Sequence, residues 1–169
     1  AFAEAHLVIS LAAGVDFSSL RKQIPEGALV RVMMNTPVFI RKGVIGFCCQ
    51  NSIYNGTVHD LFSPMGHVVD LEDGDPFEAF TVASSSGTGF IFELMTYWQD
   101  WIEEHGIEPE VARAIVVQTF LGTSQMAEKS QENLSEMQQR VVSKKGMTAV
   151  GLESMRSMEV AGMMRMRSE

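Results

Sequence analysis

The chain has 169 residues, of which 46% are hydrophobic and 20% are charged, and its formal net charge is −8. This length fits one domain, or one small domain and part of another, and the composition is that of a globular protein rather than a disordered one. The acidic balance disfavours a nucleic-acid partner, which normally meets a basic surface. No uncharged apolar run approaches the roughly 18 residues that a membrane span needs, so none is expected.

The first 74 residues alternate short apolar runs with helical segments. Strands are predicted at residues 7–11, 28–33, 43–49 and 67–71, and helices at residues 17–24 and 53–62. Asp16 is a plausible N-cap for the first helix. The first strand is a continuous apolar run, which is typical of a strand buried on both faces. Strands that alternate with helices in this way predict a parallel or mixed α/β sheet.

The pattern changes at residues 72–76, after which the chain is predicted to be all-α. Helices are predicted at residues 77–83, 90–104 and 109–128, with residues 84–87 interrupting the first two. The third is apolar on nearly all sides and therefore has to be buried on all sides, for which a monomer has too few residues. Methionines between residues 155 and 166 add a soft apolar surface. We therefore expect an intertwined homodimer through this half, with higher oligomers left open.

A polar loop opens directly into a late predicted helix. It carries Ser143, Lys144, Lys145 and Gly146, and the helix follows from Met147. Backbone N–H groups at a helix start, beside hydroxyls and positive charge, form a seat for a carboxylate or phosphate. The alternative interpretation is a capped helix start with two solvated lysines.

The cysteines and histidines match no common metal or redox motif. Cys48 and Cys49 are adjacent, and we expect two small buried residues on a strand, which fits a reducing compartment. The four histidines show no ligand spacing, so no metal site is predicted. No targeting signal is visible, and the expected location is the cytoplasm or an organelle matrix. Because the chain begins in a strand-like segment and ends in a helix-compatible run, we also expect a fragment.

Four segments together carry a family resemblance: residues 8–14, 31–37, 81–90 and 141–148. In order and spacing they resemble pyrroline-5-carboxylate reductase, over residues 6–164. The resemblance implies part of a Rossmann-like NAD(P)-binding domain in residues 1–74, a helical dimerisation domain in residues 75–169, and an active site between the two. The sequence holds no G-x-G-x-x-G. The resemblance therefore implies that the first half of the Rossmann domain, with its phosphate loop, is not in this chain.

The resemblance also implies a reaction, the NAD(P)H-dependent reduction of a small cyclic imine to proline in proline biosynthesis. The residues expected to lie against NADPH or NADH are Ser10, Ala12, Ala13, Asn35, Thr36 and Pro37. The residues expected to hold the substrate are Ser143, Gly146, Met147 and Thr148. Backbone N–H groups at the last two would bind the carboxylate, and the Thr148 hydroxyl would contact the imine nitrogen as the catalytic group. Positioning would supply most of the rate.

The chain departs from the family pattern at positions that include Ser85, Thr88, Lys144, Lys145 and Met147. These departures, with the all-round apolar helix, motivate an alternative from another class. In that alternative the protein is a catalytically degraded relative that serves as a dimerising scaffold subunit of a larger assembly. A strand followed by G-x-G-x-x-G upstream of Ala1 would favour the reductase, and copurification with other subunits at fixed stoichiometry would favour the scaffold.

Overall fold

The structure is a computed structural model that describes residues 7–143 and 146–157. The chain divides into two compact units, Ala1–Phe92 and Glu93–Glu169. The functional boundary predicted between residues 74 and 75 stays a prediction.

The first unit contains a four-stranded mixed sheet with the strand order β1-β2-β3-β4. The strands are Leu7–Ser10 (β1), Ala28–Met34 (β2), Gly43–Cys49 (β3) and Gly66–Asp70 (β4). β1 runs parallel to β2, β2 antiparallel to β3, and β3 parallel to β4. The prediction of a parallel or mixed sheet in this part of the chain is confirmed.

Side-chain alternation along β2 divides the core between the two faces of the sheet. Val30 and Val32 point to one face and pack in a buried cluster with residues of β3 and of helix α2 (Asn55–Phe62). Leu29 and Met33 point to the other face. There they meet apolar side chains of helices α1 (Phe17–Gln23) and α3 (Asp75–Phe80). Both faces of β2 are therefore covered.

Asp16 begins α1 as predicted, because its side chain accepts a hydrogen bond from the Ser19 N–H at 2.8 Å. The expectation that β1 is buried on both faces is wrong for the described chain. All four of its residues are half-buried. Among the strands that the structure describes, β1 lies at the edge of the sheet and pairs only with β2.

Within the described residues, four further helices follow α3: Gly87–Glu104 (α4), Pro109–Lys129 (α5), Leu134–Arg140 (α6) and Met147–Ser157 (α7). The predicted break at residues 84–87 is wrong, because Thr81–Ser86 forms a π-helix that joins α3 to α4 without interruption. The hydroxyls of Thr81 and Thr88 donate to the carbonyls of Phe77 and Ser84, four residues earlier. Such bonds let hydroxyl residues stay within a helix.

α5 exposes most of its apolar surface. Ala112 and Val116 are buried, and the Trp98 ring of α4 lies 4.9 Å from the Phe120 ring. Four other apolar side chains of α5 are 42–52% exposed: Val111, Ile115, Val117 and Leu121. The expected apolar surface at the end of the chain is described only at Met155, which is 40% exposed, and its later methionines lie outside the described residues. Among the described helices, none is long and apolar enough to cross a membrane.

Candidate functional site

The turn after β1 is small and open. Ser10 ends the strand, and its hydroxyl accepts a hydrogen bond from the Ala12 N–H at 3.3 Å. Ala12 and Ala13 are exposed. Gly14 has a φ of +69°, and a Cβ added there would find no heavy atom within 4 Å. Ala12, Ala13 and Gly14 therefore leave room for a flat ring at this end of the sheet.

The turn after β2 lies at the same end of the sheet, because β1 and β2 are parallel neighbours. The Asn35 side chain accepts a hydrogen bond from the Val44 N–H at 2.8 Å, and its carbonyl accepts one from the Val38 N–H at 3.2 Å. Thr36 and Pro37 open a short 3-10 helix, Thr36–Ile40. The structure thus brings the six residues predicted to contact the cofactor to one end of the sheet, the end where β1 and β2 finish. Hydrogen bonds hold the turn after β2 in place there.

A buried cation lies in the middle of β2, and sequence reasoning did not identify it. Arg31 is 3% exposed, and it donates to Asp73 Oδ1 at 2.6 Å and to Glu78 Oε1 at 2.9 Å. Its guanidinium lies 4.3 Å above the Phe77 ring. Burial lowers the pKa of Arg31, but the hydrogen bonds to Glu78 and Asp73 outweigh that effect and the pKa is raised. A charged residue within an otherwise apolar strand was the available sequence signal.

Cys48 and Cys49 are unpaired thiols on β3, and Cys48 is buried as predicted, whereas Cys49 is only half-buried. Burial, assisted by the Asp73 carboxylate, raises the pKa of the Cys48 thiol to about 12, and burial raises the pKa of Cys49 to about 11. Only the thiolate is nucleophilic, so neither is suited to covalent catalysis. Within residues 7–143 and 146–157, no three His, Cys, Asp or Glu side chains are grouped to hold a metal ion.

These pKa values predict slow alkylation of the native thiols. At pH 8 we expect iodoacetamide to label Cys48 at least about 100-fold more slowly in the folded protein than in denaturant, because its thiolate is scarcer. Mass spectrometry of the labelled peptide measures the labelling rate, and equal rates in both states would contradict this prediction.

The raised pKa values of the two thiols also predict that the stability of the folded protein falls as pH rises from about 9 towards 11–12, since the unfolded chain releases these protons first.

In the second unit, the predicted substrate residues meet at the start of α7. The Gly146 N–H donates to the Ser143 carbonyl at 3.0 Å, and the Ala149 N–H donates to the Gly146 carbonyl at 3.0 Å. The helix has no carbonyl of its own for the amides of Met147 and Thr148. Both side chains are exposed, that of Met147 to 88%.

Gly146 leaves room for the Ser143 hydroxyl. A Cβ added at Gly146 would overlap Ser143 Oγ, whereas the Ser143 carbonyl oxygen and Cβ would lie 3.3 and 3.4 Å away. The hydroxyl therefore sits where only glycine permits it. Lys144 and Lys145, the other residues predicted for this loop, lie outside the described residues.

Two of the departures from the family pattern form hydrogen bonds of their own. The Ser85 hydroxyl donates to the Met34 carbonyl at 3.1 Å, and the Thr88 hydroxyl donates to the Ser84 carbonyl at 3.1 Å. The first of these bonds attaches the π-helix to the last residue of β2. These two substitutions thus add contacts within the first unit.

A cavity of about 330 Å³ lies in the second unit where α5 meets α6. Its lining residues are Met126, Lys129, Ser130, Glu132, Met137, Arg140 and Val141. Glu132 forms an ion pair with Arg140 through one carboxylate oxygen, and its other oxygen is buried with no hydrogen-bond partner. The cavity wall ends two residues before Ser143, the first residue of the predicted substrate loop.

A short mixed α/β sheet with an open edge, followed by helices, defines a partial Rossmann-like protein with a helical half. The family described as "Pyrroline-5-carboxylate reductase dimerisation" matches residues 75–167. The chain belongs to this family, and the predicted resemblance is confirmed. Membership in a dimerisation family also supports oligomerisation through the helical half.

Curated relatives extend the match into the sheet. The pyrroline-5-carboxylate reductase of Haemophilus influenzae is 34% identical over 151 residues, which is 86% of this chain and 56% of the relative. The enzyme of Pseudomonas aeruginosa is 32% identical over 152 residues, which is 88% of this chain and 56% of the relative. The chain therefore spans a little over half the length of these relatives.

Solved structures confirm the fold class, a partial Rossmann-like sheet followed by a helical dimerisation domain. Plasmodium falciparum pyrroline carboxylate reductase, crystallised with NADP bound, matches with a TM-score of 0.86 and 26% identity, over 94% of this chain and 65% of that one. The Coxiella burnetii pyrroline-5-carboxylate reductase matches with a TM-score of 0.86 and 27% identity, over 96% of this chain and 62% of that one.

Proposed function

We propose that the full-length protein is an NAD(P)H-dependent reductase that converts the cyclic imine pyrroline-5-carboxylate to proline. The observation that carries the proposal is the start of α7, where Ser143, Gly146, Met147 and Thr148 meet beside helix amides that have no partner within the helix. Such amides favour an anionic group. The substrate of the named relatives carries a carboxylate beside its imine, and this arrangement suits both groups.

Each residue of this junction has a proposed role. The Met147 and Thr148 amides hold the substrate carboxylate, and the Ser143 hydroxyl, admitted by Gly146, donates a further hydrogen bond to it. The Thr148 hydroxyl hydrogen-bonds to the imine nitrogen and orients it. In the reaction, a hydride adds to the carbon of the protonated C=N bond, the π electrons move to nitrogen, and the product is the secondary amine.

The proposed cofactor is NADPH or NADH, which supplies the hydride. The turn of Ala12, Ala13 and Gly14 fits a flat nicotinamide ring, because its side chains are small and a Cβ at Gly14 would meet nothing. Ser10 would border the ring, and Asn35, Thr36 and Pro37 would form the floor beneath it. The NADP found in the Plasmodium falciparum relative supports a nicotinamide cofactor for this fold.

We further propose that the protein acts as a homodimer through α4 and α5. The exposed apolar side chains of α5 lie on more than one face of the helix, as a partner wrapped around it requires. The two unpaired thiols suit the reducing cytoplasm or organelle matrix proposed as its location.

The test is a hydride-transfer assay on the full-length protein. We expect pyrroline-5-carboxylate to drive oxidation of NADPH or NADH, followed as a loss of absorbance, with proline as the product. A matched imine without a carboxylate should react poorly. No turnover above background with either cofactor would overturn the proposal and favour the alternative, a degraded relative that serves as a scaffold subunit.

A pair of substitutions tests the proposed carboxylate-binding site at the start of α7. Ser143→Ala removes the hydroxyl, and Gly146→Ala displaces it by steric overlap, so each should raise KM for the imine by about 10-fold through loss of one charge-assisted hydrogen bond. Because both changes remove the same contact, the double variant should be little worse than either single one. Fully additive losses would show that the two residues act separately. Ser154→Ala, at an exposed position later in α7, is the control.

A further inference from the structure

The first unit contains two separate attachments between β2 and the helical segment that follows the sheet. One is the ion cluster of Arg31 with Asp73 and Glu78, and the other is the hydrogen bond from Ser85 to Met34. Both begin on β2, and they lie three residues apart along it. At about 3.3 Å per residue this separation is about 10 Å.

Burial of the Arg31 guanidinium removes it from water, which is energetically unfavourable. A buried guanidinium is tolerated only where charged partners replace water, and Arg31 has two carboxylates and the Phe77 ring around it. All three partners belong to the short stretch that leads from β4 through α3. Arg31 Nε is buried with no hydrogen-bond partner, so the cluster is not arranged for maximal stability. What it does is fix the start of α3 on the middle of β2.

The Ser85 attachment lies at the end of the same strand. Met34 is the last residue of β2, and the next residue, Asn35, begins the turn predicted to support the cofactor. Ser85 belongs to the π-helix, a rare form that is frequent at functional sites. This second attachment therefore adjoins the turn predicted to support the cofactor.

The two attachments restrain the helical segment more than either does alone. Phe77 already packs with Met33 of β2, and two polar contacts about 10 Å apart along that strand add a restraint on both position and direction. The end of β2 is thereby held on one side by Ser85 and on the other by the bond from Val44 to Asn35. Hydride transfer is sensitive to such fixation, because a displacement of about 1 Å can cost about 100-fold in rate.

We propose that Arg31 and Ser85 form a two-point clamp that positions the Asn35–Pro37 turn for hydride transfer. They are positioning residues, since they act through the turn rather than on the substrate. The role in hydride transfer rests on the proposed function, whereas the clamp itself is a statement about the first unit and is measurable without turnover.

The direct test is amide hydrogen exchange in the turn. The amides of Val38, Arg41 and Lys42 report on it and on the 3-10 helix that it opens, since they donate to the carbonyls of Asn35, Val38 and Pro37. In the full-length protein, Ser85→Ala should speed their exchange about 10-fold, and Arg31→Lys, which keeps the charge but not the two-pronged geometry, should do the same. Ser86→Ala is the matched control, because Ser86 is an exposed serine of the same π-helix. Ser85→Thr keeps the hydroxyl and should restore slow exchange.

Kinetics then separate positioning from general stabilisation. Ser85→Ala should lower kcat about 5-fold with little change in KM for the imine, and Ser85→Thr should recover most of the loss. Equal exchange in Ser85→Ala and Ser86→Ala would overturn the clamp. Faster exchange with unchanged kcat would overturn its role in hydride transfer. A wild-type protein without reductase activity would refute the proposed function and the positioning role with it, while exchange would still decide the clamp.

Discussion

Replacement of Thr148 by valine should lower kcat/KM for pyrroline-5-carboxylate about 100-fold in the full-length protein. Valine keeps the shape and the β-branch of threonine but has no hydroxyl, so the imine nitrogen loses its hydrogen bond as its charge changes. A hydrogen bond to a charged group contributes about 1.5–3 kcal/mol, and about 2.7 kcal/mol corresponds to 100-fold. Steady-state kinetics measure the loss, which should fall mainly on kcat.

Thr148→Ser is the matched control, because it keeps the hydroxyl, and it should retain activity within a few-fold of wild type. A second measurement is the isotope effect with deuterated reduced nicotinamide, which should rise in the valine variant as the hydride step becomes rate-limiting. Since Thr148 is exposed near the start of α7, neither change is expected to alter folding. Full activity in Thr148→Val would remove the catalytic role assigned to this residue.

The double substitution Val117→Asp with Leu121→Asp should dissociate the proposed homodimer. Both side chains are exposed on the single chain, Val117 to 42% and Leu121 to 48%, and they are four residues apart on one face of α5. Burial of each apolar side chain contributes about 1.5–3 kcal/mol, and an unpaired carboxylate in the same place is unfavourable. We therefore expect Kd to rise by at least about 1,000-fold, as measured by sedimentation equilibrium.

The control is Ser135→Asp with Gln139→Asp, which adds the same two charges, also four residues apart, at exposed polar positions of α6. It should leave the dimer intact. Circular dichroism should show the same helix content in both variants, because neither change touches the buried residues Ala112 and Val116. An α5 double variant that still sediments as a dimer would place the interface on another surface.

Local chemistry determines much of the fold. The N-cap at Asp16 follows from the ability of a carboxylate to accept from a helix amide. The strand at residues 43–49 follows from a continuous apolar run, and the helix that begins at Pro109 follows from the fixed φ of proline. The helix break predicted at residues 84–87 was based on the weak helix preference of serine and glycine, and it was wrong. Contacts with β2 and the hydroxyl–carbonyl bonds overrode that preference.

The candidate site likewise combines residues that the sequence predicted with a contact that only the structure shows. The family resemblance, carried by the order of four motifs, predicted which residues contact the cofactor and the substrate, because such motifs are short stretches of sequence. Why Gly146 stands beside Ser143 was not evident from the sequence, since the overlap of a Cβ with the Ser143 hydroxyl depends on loop geometry.

By itself, then, the sequence determined the order of the strands and of most helices, though not α6, the family, and the stretches predicted to carry chemistry, because these depend on patterns within a few residues. Only the tertiary structure decided that Arg31 is buried against Asp73 and Glu78, 42 and 47 residues away, and that Ser85 reaches Met34, 51 residues away. Such contacts depend on how the sheet places distant segments side by side. No local pattern contains that information, and for that reason the clamp on β2 became evident only in the folded chain.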